Sequence, residues 1–274
     1  TVGITSINAG GAVTLSTAGD TDAQSVMAAG DVSLTATSGT VGITSINAGG
    51  AVTLSTAGDT DAQSVTAAGD VTVTVAGGAL SVGSITATGQ GVSLTASGAL
   101  TDGDAGVDIT ADSLTISAGS VGSSTDALDT DVTSVAVSST GGVYLNESNG
   151  LVISSVSASG AVSIATGGDT TATSITAGAD VDLSLSAGDL TVGSISAVDQ
   201  VVTLDVAGDL VQASAGDGVS SLTLSITDAA SVGAAGALQT NVSNLDVVSR
   251  GVVAVDEASG LVITNITSGG AVTL

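Results

Sequence analysis

The chain has 274 residues, 26 of them Asp or Glu against a single basic residue, Arg250, for a formal net charge of −25, and it contains no His, Cys, Pro, Phe or Trp. Nucleic acid and anionic membrane surfaces are excluded as partners because both would repel such a surface. Without His, Cys or Lys there is no His- or Cys-based metal site and no nucleophile–base pair of the usual kinds.

With one Tyr (Tyr144), one Met (Met27) and 39 Gly, the interior cannot draw on large aromatic areas. The core must be thin and filled by Val, Ile, Leu and Ala. Mean hydropathy is +0.60, yet no apolar run approaches the roughly 18 residues of a membrane span. Apolar residues at fixed intervals also set the chain apart from a disordered one. The lack of Cys fits a secreted bacterial protein.

Taken in order, the chain repeats one short pattern: Val13-Thr14-Leu15, Val32-Ser33-Leu34, Val52-Thr53-Leu54, Val71-Thr72-Val73, Val92-Ser93-Leu94, and onward to Val162-Ser163-Ile164 and Val272-Thr273-Leu274. An apolar, hydroxyl, apolar alternation is the period-2 signature of a strand with one buried face. The last residue of the pattern falls at 15, 34, 54, 73, 94, 116, 137, 164, 183, 204, 226, 247 and 274. Spacings of 19 to 22 residues are broken by two of 27, before Ile164 and before Leu274. Two positions earlier the thirteen sites hold ten Val and three Leu (Leu114, Leu224 and Leu245). The residue between is Ser or Thr in ten, with Ala136, Asp182 and Asp246 as exceptions. Like-on-like β-branched ladders suit parallel, in-register strands. A second strand precedes the first by eight residues, at Ile7, Val26, Ile46, Val65, Val156, Ile175 and Ile266, with Gly-rich corners such as Asn8-Ala9-Gly10-Gly11 between. Gly is expected to supply positive φ at these corners. The sequence therefore predicts an all-β chain, a right-handed parallel β-helix (β-solenoid) of about 13 coils with ~20 residues per coil, a rod roughly 60 Å long.

Longer repeats overlie the coils. Residues 1–40 hold a coil pair that is duplicated in tandem, since 1–32 and 40–71 agree except that Met27 becomes Thr66. Residues 41–150 then align with 151–260 in a 110-residue super-repeat, and 261–274 start a third copy. Such periods mark solenoids, whose units bury their apolar faces only against neighbours. Because the pattern is already running at Thr1 and still running at Leu274, 1–274 reads as one continuous solenoid segment of a longer protein. Its expected partners are flanking coils of that protein, with homotypic contact, lateral or end to end, where the strand edges are open.

Chemistry-bearing residues are few. Asp102, Asp104, Asp108 and Asp112 form the densest acidic group, within Thr101-Asp102-Gly103-Asp104-Ala105-Gly106-Val107-Asp108. Paired carboxylates can hydrolyse glycosides, but sugar-cleaving sites add aromatic platforms and basic residues, which are missing here. The same spacing partly matches a calcium loop, since hard cations take several oxygens from one short turn. Asp102, Asp104 and Asp108 are thus the candidate calcium ligands. The loop lacks the twelfth-position Glu of an EF-hand, and its counterpart at 212–218 keeps only Asp217. Asp126, Asp129 and Asp131 form a second acidic group. The recurrent Gly-Asp corners (Gly30-Asp31, Gly58-Asp59, Gly69-Asp70, Gly188-Asp189) read as turn formers, and Glu147 and Glu257 as structural residues of the longest coil. No catalytic residue or organic cofactor is expected.

Ala111-Asp112-Ser113-Leu114 through Val121-Gly122-Ser123, Ala127-Leu128-Asp129-Thr130-Asp131-Val132 and Gly141-Gly142-Val143-Tyr144-Leu145-Asn146-Glu147 resemble the repeats of filamentous-haemagglutinin-like giant bacterial exoproteins. The resemblance implies a secreted, cell-surface β-helical shaft, non-enzymatic, that projects an adhesive region from the cell toward a receptor. The alternative is a self-associating surface fibre or sheath. Ice binding through the outward Ser/Thr row is a third reading, against which Asp182 and Asp246 interrupt the uniform Thr array such a surface needs.

The inward/outward alternation has a direct test. Val162→Asp places a charge in a dry ladder, at a cost of several kcal/mol, and should abolish the β-sheet circular dichroism signal. Ser163→Asp should keep it, because Asp182 already occupies an equivalent place.

Overall fold

The structure is a computed structural model that describes residues 1–214, 216 and 218–274. It is an all-β parallel solenoid of about 14 turns with ~20 residues per turn. The chain divides into two compact units, one of residues 1–133 and 138–140, the other of residues 134–137 and 141–274.

In the first unit one turn is made of three arms rather than two: Val41–Ile43, Ile46–Ala48 and Val52–Thr56. Each arm stacks in parallel register on its counterparts. Val41 lies beside Thr60, which lies beside Leu80, then Leu100. Ile46, Val65, Ile85 and Ile109 form the second ladder. Val52, Val71, Val92 and Leu114 form the third. The arm that sequence reading leaves out is the one whose inward position alternates between Val41 or Leu80 and the hydroxyls of Thr21 and Thr60, which breaks the apolar signal. These threonines are buried and satisfied: Thr21 pairs with Thr17 at 2.7 Å and Thr60 with Thr56 at 2.6 Å. A buried hydroxyl needs such a partner.

The second unit repeats the scheme, with Val162, Val181, Val202, Leu224 and Leu245 stacked in one ladder. Leu34, Leu54, Leu94, Ile116, Leu204 and Ile226 are all at most 1% exposed, so the inward positions read from the alternation are the core.

The long spacings resolve differently from a single enlarged coil. Ile164, Leu183, Leu204, Ile226, Val247 and Ile266 stack on one another in succession. The turn after Val247 therefore closes at Ile266, an ordinary 19 residues on, and Leu274 lies eight residues further, on another arm. The last strand, Val272–Thr273, stacks through Val272 on Val253, and that ladder runs back through Val232 and Leu210 to Leu190. Leu145 likewise sits directly beside Ile164, inside the other 27-residue interval. The 110-residue repeat thus amounts to five turns plus one arm. Val162 and Val272 are equivalent in sequence yet lie on different ladders of the same unit. Glu257 sits where the extra arm begins. It stacks beside Thr240 and accepts from the Thr240 hydroxyl at 2.7 Å, the Ser259 backbone at 2.9 Å and the Val242 backbone at 3.1 Å.

The corners work by close approach more than by unusual φ. Gly39 does adopt φ 79°, but Gly49 and Gly178, at corners read as needing positive φ, do not. A Cβ on Gly49 would lie 2.4 Å from the Ala29 carbonyl, and one on Gly178 2.3 Å from the Ser159 carbonyl. Glycine is needed because stacked corners touch backbone to backbone. The Asp beside the Gly is more than a turn former. Asp31 Oδ1 accepts the Ala51 N–H at 2.9 Å, Asp59 that of Ala79 at 2.9 Å and Asp189 that of Asp209 at 2.8 Å. Each of these aspartates reaches about one turn along the chain and clasps the backbone of the next corner.

The arm shift is checked by disulfide trapping. Asp246 and Asn265 are ladder neighbours, their side chains joined by a hydrogen bond from Asn265 Nδ2 to Asp246 Oδ1 at 3.0 Å, and paired positions on adjacent strands about 4.8 Å apart fall in the Cα range that a disulfide spans. The double variant Asp246→Cys/Asn265→Cys should cross-link on oxidation and Asp246→Cys/Thr273→Cys should not, as read by mass spectrometry. The reverse result would restore a single long coil.

Candidate functional site

The acidic loop 102–108 leaves the stack between two arms of the first unit, Ala99–Asp102 and Ile109–Ala118. It belongs to a turn lengthened by several residues, which is why a loop projects there. Local hydrogen bonds shape it. Asp102 Oδ1 accepts the Asp104 N–H at 2.7 Å, and Asp104 Oδ1 accepts the Gly106 N–H at 2.6 Å. Two successive Asx turns result, of the kind Asp forms readily. At its end the loop is fastened to the following turn, where the Asp108 N–H donates to the Asp129 carbonyl at 2.9 Å and the Asp129 N–H donates to Asp108 Oδ2 at 2.8 Å.

The structure brings Asp102, Asp104 and Asp108 together: one carboxylate oxygen from each lies within 4.8 Å of the others. Among the described residues they are the one such group. Asp112 is exposed and outside it. The second acidic group does not assemble as a site of its own. Asp126 is exposed and exchanges backbone hydrogen bonds with Ser123, while Asp129 turns its N–H to Asp108. Asp217, the acid of the counterpart loop, lies outside the described residues.

The three carboxylates differ in environment. Asp104 is exposed, Asp102 half-buried and Asp108 0% exposed. Asp108 Oδ1 is buried without a hydrogen-bond partner. Burial, with the negative charges of Asp102 and Asp129 nearby, raises the Asp108 pKa from the ordinary carboxylate value to about 8, and the hydrogen bond from Asp129 offsets only part of that rise. Two ionised carboxylates cannot hydrogen-bond to each other, so Asp108 Oδ1 gains a partner in Asp102 only when a proton sits between them. No cationic side chain is at hand to supply charge instead: the chain has no Lys or His, and Arg250 is held by Asp228 at 3.8 Å and by the Ala207 carbonyl.

Sequence reasoning found the cluster but missed Asp129 as its anchor. Twenty-one residues separate Asp108 from Asp129, and only the stacking of turns makes them neighbours. The one available signal was that this interval is close to the length of one coil.

No family model matches the chain, and neither does any curated protein or solved structure.

Asp108 also makes stability depend on pH. Its native pKa lies above its unfolded value, so the native state binds more protons between the two, and stability falls as pH rises. The effect is absent below about pH 4, grows from there to about pH 8 and is complete above it. In buffer with chelator, Asp108→Asn, which mimics the neutral acid, should gain in melting temperature over the parent progressively from pH 4 to 8. A parent–variant difference that is constant across that range would show that the native pKa of Asp108 is not raised above its unfolded value.

Proposed function

We propose that this chain is a non-enzymatic structural segment, the shaft of a large secreted bacterial surface protein of the filamentous-haemagglutinin-like kind, holding a binding region away from the cell. The observation that carries this reading is the uniformity of the stack. Arm after arm is backed by an in-register parallel neighbour on each side, and acidic clasps tie successive corners together. A repeat that binds only its own neighbours can be extended without altering any unit, which is the property a spacer requires. Extracellular placement rests on the repeat resemblance, together with a cysteine-free, strongly acidic composition.

The acidic loop supports a structural rather than a hydrolytic role. A general acid must come within about 3 Å of the bond it protonates, and Asp108, whose raised pKa would suit such an acid, is 0% exposed.

Two measurements on the purified chain test the proposal. Over a panel of neutral and acidic polysaccharides, no reducing ends should be released above a buffer blank. Activity that disappears in Asp104→Asn would overturn the non-enzymatic reading. In negative-stain electron microscopy at physiological salt the chain should give discrete particles, whereas ordered lateral arrays would replace the shaft with the fibre or sheath reading.

A further inference from the structure

We infer that Asp102, Asp104 and Asp108 bind one divalent cation of the calcium class, at a site built into the first 110-residue repeat whose three ligands are not carried by the equivalent positions of the second. The site goes beyond the shaft reading and does not rest on it.

Geometry carries the inference. Calcium takes oxygen ligands at 2.3–2.6 Å, so oxygens on opposite sides of one ion stand roughly 5 Å apart, and the three carboxylates offer oxygens within 4.8 Å of one another. Each already commits one oxygen to a backbone N–H, from Asp104, Gly106 and Asp129 respectively. Those bonds fix the carboxylates while leaving each a second oxygen. The second oxygen of Asp108 is buried without a partner, which is costly for a carboxylate in the absence of a compensating charge. Asp104 Oδ2 packs 3.2 Å from the point where a Cβ on Gly83 would sit, so the preceding turn leaves room for that carboxylate. A donor set of oxygens alone selects a hard cation, and an irregular loop with an exposed member suits calcium, which accepts water and uneven geometry, better than magnesium, which demands a near-ideal octahedron.

The second repeat supplies an internal comparison. At an offset of 110 residues Asp102, Asp104 and Asp108 become Gln212, Ser214 and Gly218, and the anchor Asp129 becomes Gln239. Asp112, Asp126 and Asp131 become Leu222, Gly236 and Asn241. Among the described residues of that loop the closing hydrogen bonds come from neutral groups: the Gln212 amide donates to the Ser214 carbonyl at 2.8 Å and accepts from the Gln239 N–H, and Gln239 Oε1 accepts the Gly216 N–H at 2.8 Å. The same bulge thus exists in two chemistries. Amides, which donate as well as accept, make the closing hydrogen bonds among the described residues of one copy. Carboxylates, which when ionised only accept, leave the other copy short of a positive partner.

The test is calorimetric titration of the chelator-stripped chain with CaCl2 at physiological salt, alongside its melting temperature. The expected result is one site with a dissociation constant on the order of 10⁻⁴ M, MgCl2 binding about tenfold or more weakly, and a melting temperature that rises with calcium. Asp104→Asn, at an exposed position where folding is not at stake, should weaken binding about tenfold or more. Asp108→Asn should abolish it, and Asp256→Asn, an exposed acid in the second unit, should leave it unchanged. Two results overturn the site. Equal weakening in Asp104→Asn and Asp256→Asn means a diffuse counter-ion atmosphere only. No binding heat and no shift in melting temperature means that Asp108 is compensated by a proton alone.

Discussion

The structure depends on the backbone of each turn being satisfied by the turns on either side at strand spacing, about 4.8 Å. Everything else in the sequence serves that stacking. Side chains at one rung must fit against their equivalents on the next, so Val stands on Val and Leu or Ile on Leu. Corners must approach as closely as strands do, which leaves no room for a Cβ at Gly49 or Gly178. A corner N–H pointing along the stack needs an acceptor, and the aspartates after the corner glycines provide one. The chain can therefore build a core without Phe or Trp, because the ladders need area that repeats rather than area that is large.

The same constraint lets a fractional repeat exist. A solenoid requires each arm to have a neighbour, but it does not require a repeat unit to contain a whole number of turns. Five turns plus one arm satisfy every ladder in the second unit, provided that an inward residue of one arm is acceptable on the next. Val, Ile and Leu are interchangeable in that role, and Glu257 joins the odd arm to Thr240 and Val242 by hydrogen bonds. Burial raises the Glu257 pKa, but these bonds and those from Ser259 outweigh it and leave the carboxyl below its ordinary value. Within the second unit, sequence-equivalent positions such as Val162 and Val272 consequently stand on different ladders.

The acidic loop shows how a tolerant scaffold diverges. A bulge outside the ladder can change its side chains without touching the core, and the two copies have done so, one with carboxylates at 102, 104, 108 and 129, the other with Gln212, Ser214, Gly218 and Gln239. Only Asp108 is buried in consequence, since it sits where the loop rejoins the stack. For a chain of net charge −25, self-repulsion is a standing destabilising influence that counterions and divalent cations screen.

The sequence by itself determined the strand type, the parallel stacking, the inward and outward residues and the grouping of Asp102, Asp104 and Asp108. All of these follow from local alternation and from spacing along the chain, and local alternation reports which face of an arm is buried. Tertiary structure alone decided three other things. It revealed the third arm, because the buried Thr21 and Thr60 are polar and find their partners, Thr17 and Gly19, Thr56 and Gly58, only across a corner. It divided the 27-residue intervals into a turn and an arm, because spacing counts residues and cannot tell which neighbour a strand finds. It brought Asp129 to Asp108 and left Asp108 Oδ1 buried without a donor, because contact between residues one turn apart exists only once the turns are stacked.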